Sequence, residues 1–180
     1  MPRRTAALLS AITVLLLPVG CGPSSGDGST DVEDTARQSG EGSGASELVL
    51  VDVRVAAEEG FDRIVLQFSG TGTPGWVVNY VDEAVLDGSG EPVDLGGRAT
   101  LDIYASDTTW PAPEYYDGPS RVVPRTSGNV TDLYVGGTFE GTTQVLAGID
   151  SAPAPFRVST LTAPTRLVID VMDKSDETAD

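Results

Sequence analysis

From Leu48 onward the chain alternates. Val49, Val51, Val53 and Val55 fall on one side of an extended run and Asp52 and Arg54 on the other, the period-2 signature of a half-buried strand. A second run follows the turn-like Glu59-Gly60, with Ile64, Leu66 and Phe68 set against Arg63, Val65 and Gln67. Further segments rich in β-branched or aromatic residues, bounded by Gly, Pro, Asp or Ser, predict strands over 76–81, 100–105, 130–135, 143–149, 156–161 and 166–171. No segment carries a 3.6-residue period. About eight short strands with frequent turn signals predict an all-β fold, an antiparallel β-sandwich rather than an α/β sheet. Gly88-Ser89-Gly90 and Thr162-Ala163-Pro164 mark tight reversals, the second joining the last two strands as a hairpin.

Upstream of this region the pattern is different. Arg3 and Arg4 precede an uncharged apolar run from Ala6 to Leu17, then Pro18, Val19 and Gly20 lead to the single cysteine, Cys21. A 12-residue run is too short to cross a bilayer, which takes roughly 20 helical residues, so residues 1–20 read as an export signal. Leu17-Pro18-Val19-Gly20-Cys21 resembles a bacterial lipobox, with the leucine one place further from the cysteine than is usual. The resemblance implies cleavage before Cys21 and a diacylglyceryl group on its sulfur, a two-chain anchor at the outer face of the cell membrane. Arg3-Arg4 also suggests twin-arginine export, although Thr5 and Ala6 stand where that motif wants apolar residues. Residues 21–47 contain 6 Gly, 6 Ser, six acids and no aromatic residue. They read as a disordered tether, typically about 30 Å in span. Residues 174–180 read as an acidic tail, leaving 48–173 as the folded domain.

Charge and composition narrow the function. The chain has 11 Lys+Arg against 27 Asp+Glu, a net charge of -16, and no histidine. Residues 48–173 alone hold 7 Arg and 18 acids, a net -11. Nucleic acid is excluded as a partner, because phosphate binding needs clustered cations. The absence of histidine removes Ser-His-Asp and Cys-His nucleophiles and imidazole-bound zinc. No cofactor and no metal site is predicted. Asp87-Gly88-Ser89-Gly90-Glu91 has alternating oxygen ligands but lacks the remaining ligands of an EF-hand, so it reads as a plain turn. Glu114 with Asp117, and Asp82 with Glu83, are the available carboxylate pairs. Glycoside hydrolysis needs such groups about 5–9 Å apart across a cleft, which sequence neighbours do not establish, and the chain reads as non-catalytic.

The segment 108–125 stands out, with Trp110, Pro111, Pro113, Tyr115, Tyr116, Pro119 and Pro124 in a run that cannot be a central strand. A stiff loop of this kind suits stacking on sugar rings, with Trp110, Tyr115 and Tyr116 as platform and Glu114, Asp117 and Arg121 as hydrogen-bonding partners. The more ordinary use of the same residues is to fold Trp110 and one tyrosine back over an open end of the sandwich. Arg63 and Arg166, at the starts of apolar strands, are expected to form salt bridges with nearby acids rather than to anchor a ligand.

Arg63-Ile64-Val65-Leu66-Gln67 and Arg166-Leu167-Val168-Ile169-Asp170 share one order of residue types and suggest two equivalent strands. Together with Gly60-Phe61-Asp62-Arg63, Phe139-Glu140-Gly141 and Pro155-Phe156-Arg157-Val158 leading into Leu161-Thr162, the order of motifs over roughly 48–172 resembles the AMIN-like domain of actinobacterial lipoproteins. The use of 10 Arg and 1 Lys fits such a genome. The related AMIN domain of cell-wall amidases is a β-sandwich that targets its enzyme in the envelope and is associated with peptidoglycan. The resemblance therefore implies a β-sandwich placed outside the cytoplasm, and with its aromatic loop the chain reads as an adaptor for envelope glycan or, alternatively, as a scaffolding lipoprotein that binds an envelope protein through a sheet face or edge.

Overall fold

The computed structural model describes residues 34–173. The expected export signal, Cys21, the first part of the expected tether and the expected tail 174–180 lie outside the described residues. The described fold is all-β, with ten strands. They are β1 (Gln38–Gly40), β2 (Ser43–Glu58), β3 (Phe61–Thr73), β4 (Trp76–Val81), β5 (Ala99–Ser106), β6 (Arg121–Val122), β7 (Val130–Phe139), β8 (Thr142–Ile149), β9 (Phe156–Leu161) and β10 (Thr165–Met172). Two antiparallel sheets form, ordered β2-β3-β10-β9 and β1-β4-β5-β8-β7-β6. The eight strands expected from alternation are all present, and the two additional ones, β1 and β6, are short edge strands.

Alternation decides which side chains meet. Ile64, Leu66 and Phe68 of β3 face Leu101, Ile103 and Val145 in one buried core, and β9 and β10 form the expected hairpin. The repeated Arg-aliphatic-Val-aliphatic motif is explained by pairing. β3 and β10 are antiparallel neighbours with Leu66 opposite Leu167 and Ile64 opposite Ile169, so both motifs send aliphatic residues into the core and polar residues out. Arg63 thereby lies opposite Asp170 and donates to its carboxylate through Nε (2.7 Å) and Nη2 (2.9 Å), while Arg157 adds a bond of 2.9 Å from β9. Arg166 departs from expectation. It stands opposite Gln67 and bonds weakly to the Pro164 carbonyl, with no ion pair among the described residues.

The tether expected over 21–47 is corrected at its end nearer the domain, because residues 34–47 belong to the fold. Asp34 bridges Phe156 at the β9 edge, β1 pairs with β4, and β2 begins at Ser43. A glycine-rich composition arises here for a reason other than disorder. β1 with β2, and β3 with β4, form one long ribbon that bends from one sheet into the other, with register shifts between Ser43 and Asp52. At the bend two backbones approach so closely that a Cβ on Gly72, whose φ is +79°, would lie 2.3 Å from the Gly44 carbonyl carbon. Bends and bulges of this kind let strands switch sheets, and only glycine fits them.

The chain from Asp82 to Arg98 lies over the outer face of the larger sheet, which alternation alone does not reveal. Gln144 of β8 accepts from the Asp87 amide (2.9 Å) and donates to the Val85 carbonyl (3.1 Å), and Asp132 of β7 accepts from the Gly96 amide (2.9 Å). β8 is consequently buried on both faces. Gly88-Ser89-Gly90 is the reversal expected, closed by a bond from the Gly90 amide to Leu86. Beneath this cover, burial raises the Asp102 carboxyl against the lowering influence of bonds from Gln144 and Tyr104.

Candidate functional site

The proline-rich connection between β5 and β6 crosses from the larger sheet to the edge of β2, and backbone bonds pin it along the way. Thr108 N–H donates to Gly141 (3.0 Å), Thr109 N–H to Leu48 (2.7 Å), Tyr116 N–H to Leu50 (2.8 Å) and Val135 N–H to Ser120 (2.7 Å). Below its start, the hydroxyls of Thr108, Thr138 and Thr143 bond to one another at 2.7 and 3.0 Å. Three of the connection's own amides and one amide of β7 thus fasten it to both sheets.

The aromatic residues divide between the two uses expected of them. Tyr115 and Tyr116 are half-buried and pack against the core. The Tyr116 hydroxyl donates to the Pro119 carbonyl at 2.9 Å, and burial, followed by the charges of Asp52 and Asp117, raises its pKa. Trp110 instead faces solvent with 60% of its surface exposed, its ring edge-on to Tyr115 at 6.4 Å. The three rings are therefore not one platform. A single exposed indole is buttressed by a tyrosine that the core holds.

The polar candidates divide as well. Glu114 and Asp117 are exposed, and Glu114 accepts a bond from Ser69 Oγ at 3.3 Å. Arg121, expected as a hydrogen-bonding partner beside the rings, is engaged within the fold. Its guanidinium pairs with buried Asp132 and donates to the Asp94 carbonyl, tying β6 to β7 and to the covering segment. The charge pattern could not show this, since Asp132 becomes its neighbour only through the β6–β7 pairing.

Two grooves were not foreseen. One, of about 650 Å³, lies along β1, β4 and β5 and is lined by Arg37, Asn79, Asp87, Tyr104 and Asp107. Burial and the nearby carboxylates of Asp102 and Asp87 raise the Tyr104 phenol and keep it neutral. The other, of about 640 Å³, follows β2 and has Val122, Val123 and Arg125 on its far wall. Neither could be read in advance, because the alternation that reveals a strand says nothing about which segment lies alongside it.

The family model of the AMIN-like domain matches residues 48–173. No curated protein and no solved structure matches the chain. The match begins inside β2, so β1 and the first residues of the bent ribbon lie outside it.

Proposed function

The chain belongs to the AMIN-like domain family, whose domains are non-catalytic parts of extracytoplasmic cell-wall proteins, and from that premise we propose that it is a lipid-anchored module that binds envelope glycan such as peptidoglycan through Trp110. The observation that carries the reading is the solvent-facing indole on a loop fastened to both sheets. A flat apolar ring stacks on the C–H face of a sugar, and a ring already held in place loses little further freedom on binding. Glu114 and Asp117, exposed on the same loop, supply carboxylates that accept hydrogen bonds from sugar hydroxyls. Tyr115 positions the ring rather than contacting ligand. A single stacking residue gives weak affinity per site, which suits a module held by Cys21 on a membrane next to a polymer of repeating sites.

The test is sedimentation with purified peptidoglycan. Trp110→Ala is expected to abolish cosedimentation and to change stability by less than about 0.5 kcal/mol, as befits an exposed side chain. A domain with 7 Arg and 18 acids is repelled by anionic wall polymers at low ionic strength, so binding is measured across salt. Absence of wild-type binding at every salt concentration overturns the glycan reading. Anchoring is tested separately by fractionating cells that express the protein, where Cys21→Ala should move it from the membrane to the soluble fraction or leave it as uncleaved precursor.

A further inference from the structure

Strand β2 stands last in its sheet, and its outer edge is only partly covered. The proline-rich loop bonds to that edge at Leu48 and Leu50, and from Asp52 to Glu58 no backbone group pairs with it among the described residues. Past Asp52 the ladder to β3 is regular, without a bulge. Natural edges are usually blunted by lysine, proline or bulges, because a straight open edge is a template for another strand. Here Val53-Arg54-Val55-Ala56-Ala57 has no lysine, proline or bulge, and Arg54 is its one charge.

The groove beside this edge has a definite chemistry. Val53, Val55, Val122 and Val123 give it apolar walls, with Val123 63% exposed, and Arg54, Arg63 and Arg125 stand along it. Three of the 7 arginines of an acidic domain thus line one groove, with Glu58 the acid among its lining residues. Arg63 is engaged by Asp170 and Arg54 by Asp52, while Arg125 is exposed and has no acid partner among the described residues.

We infer that this groove is a strand-addition site for an extended acidic polypeptide segment of another protein, one in which apolar side chains alternate with carboxylates. An added strand bonds through its main chain to the free edge of β2, and its side chains point alternately to the two sides. One set meets the valines and the other meets the arginines. The apolar walls favour a peptide over a polyphosphate or a bare glycan acid, which would leave the valines in water. The site is separate from Trp110, whose loop meets β2 at Leu48 and Leu50 rather than at 52–58.

The experiment titrates the purified full chain with a fluorescein-labelled synthetic heptapeptide, Glu-Val-Asp-Val-Glu-Val-Asp, followed by anisotropy, with a Lys-Val repeat of equal length as control. Saturable binding by the acidic peptide alone is expected, weakening with salt and falling at least about tenfold in Arg125→Glu, with slowed amide exchange over 53–57. Trp110→Ala is expected to leave it unchanged, which separates this site from the glycan reading. Lack of saturable binding, equal binding of the basic peptide, or indifference to Arg125→Glu overturns the inference. Binding that appears only after deletion of residues 174–180 would make the chain's own acidic tail the occupant and overturn it too. Concentration-dependent dimerisation abolished by Arg125→Glu would assign the edge to a second copy, with the same consequence.

Discussion

Tyr80→Phe removes one oxygen and tests how the two sheets are held together on the side away from Trp110. The Tyr80 hydroxyl, on β4 of the larger sheet, donates to the Ala154 carbonyl (2.8 Å) and accepts from the Ala154 amide (2.9 Å). Ala154 is buried just before β9 of the smaller sheet. Burial raises the phenol pKa more than the Ala154 contact lowers it, so the group is neutral at ordinary pH and fills both roles. Phenylalanine retains the ring and its edge-on contact with Phe156 at 5.9 Å, so only the two hydrogen bonds are lost. A buried backbone group left without a partner costs about 1–3 kcal/mol. Two such groups, partly relieved by relaxation, make the expected loss about 3 kcal/mol. A domain of this size loses on the order of 3 °C of melting midpoint per kcal/mol, hence roughly 10 °C in all. Urea unfolding at neutral pH should show the midpoint fall at constant m-value, with peptidoglycan binding per folded molecule unchanged. A loss below about 0.5 kcal/mol would mean that Ala154 is solvated and the clamp does not exist.

Residues 34–42 are structural, so a chain beginning at Ser43 should be less stable than one beginning at Asp34 by about 2–4 kcal/mol. Its Trp76, only 5% exposed and lying against Gly40, should then show red-shifted fluorescence, and an unshifted spectrum would refute the role given to β1. Asp170 supplies a pH dependence. Burial alone would raise its carboxyl, but the bonds and charges of Arg63 and Arg157 outweigh it and the pKa is lowered. A depressed folded-state pKa contributes stability that is present above the unfolded value, about 3.9, and lost as pH falls through the folded one. Asp170→Asn should therefore be less stable than wild type at pH 7 by about 1–3 kcal/mol, and the gap should close below about pH 4. A constant gap across that range would show that the ion pairs contribute nothing.

Alternation made the strands of the core legible, because Ile64, Leu66 and Phe68 have to face one way, and the same rule made the β9–β10 hairpin legible. Composition was ambiguous where two physical demands call for the same residues. Gly40, Gly42 and Gly44 look like a flexible linker, yet they sit where the two strands of one ribbon bend closely together, and nothing in the residue types separates these cases. The aromatic segment was legible as an unusual loop, but the division between Trp110 and the two tyrosines was not. It is fixed by the amide bonds to Leu48 and Leu50, which come from a strand more than 50 residues earlier. Arg121 and Arg166 show the same limit. Arg121 pairs with Asp132 through a two-residue strand, and Arg166 stays without an acid because its partner across the ladder is Gln67.

The strap formed by residues 34–42 also defines how the molecule carries load. Among the described residues, a pull arriving from the N-terminal side meets in series the bridge from Asp34 to Phe156, the Gln38 side chain on the same carbonyl, and the three-residue ladder to β4. Each is small, and each can part without disturbing the ladder between β2 and β3. Their release pays out about 30 Å of chain at roughly 3.4 Å per residue, while the loop bearing Trp110 keeps its attachments to Leu48, Leu50 and Gly141. The strap behaves as a tear-away seam that lengthens under tension and leaves the opposite side of the sandwich intact.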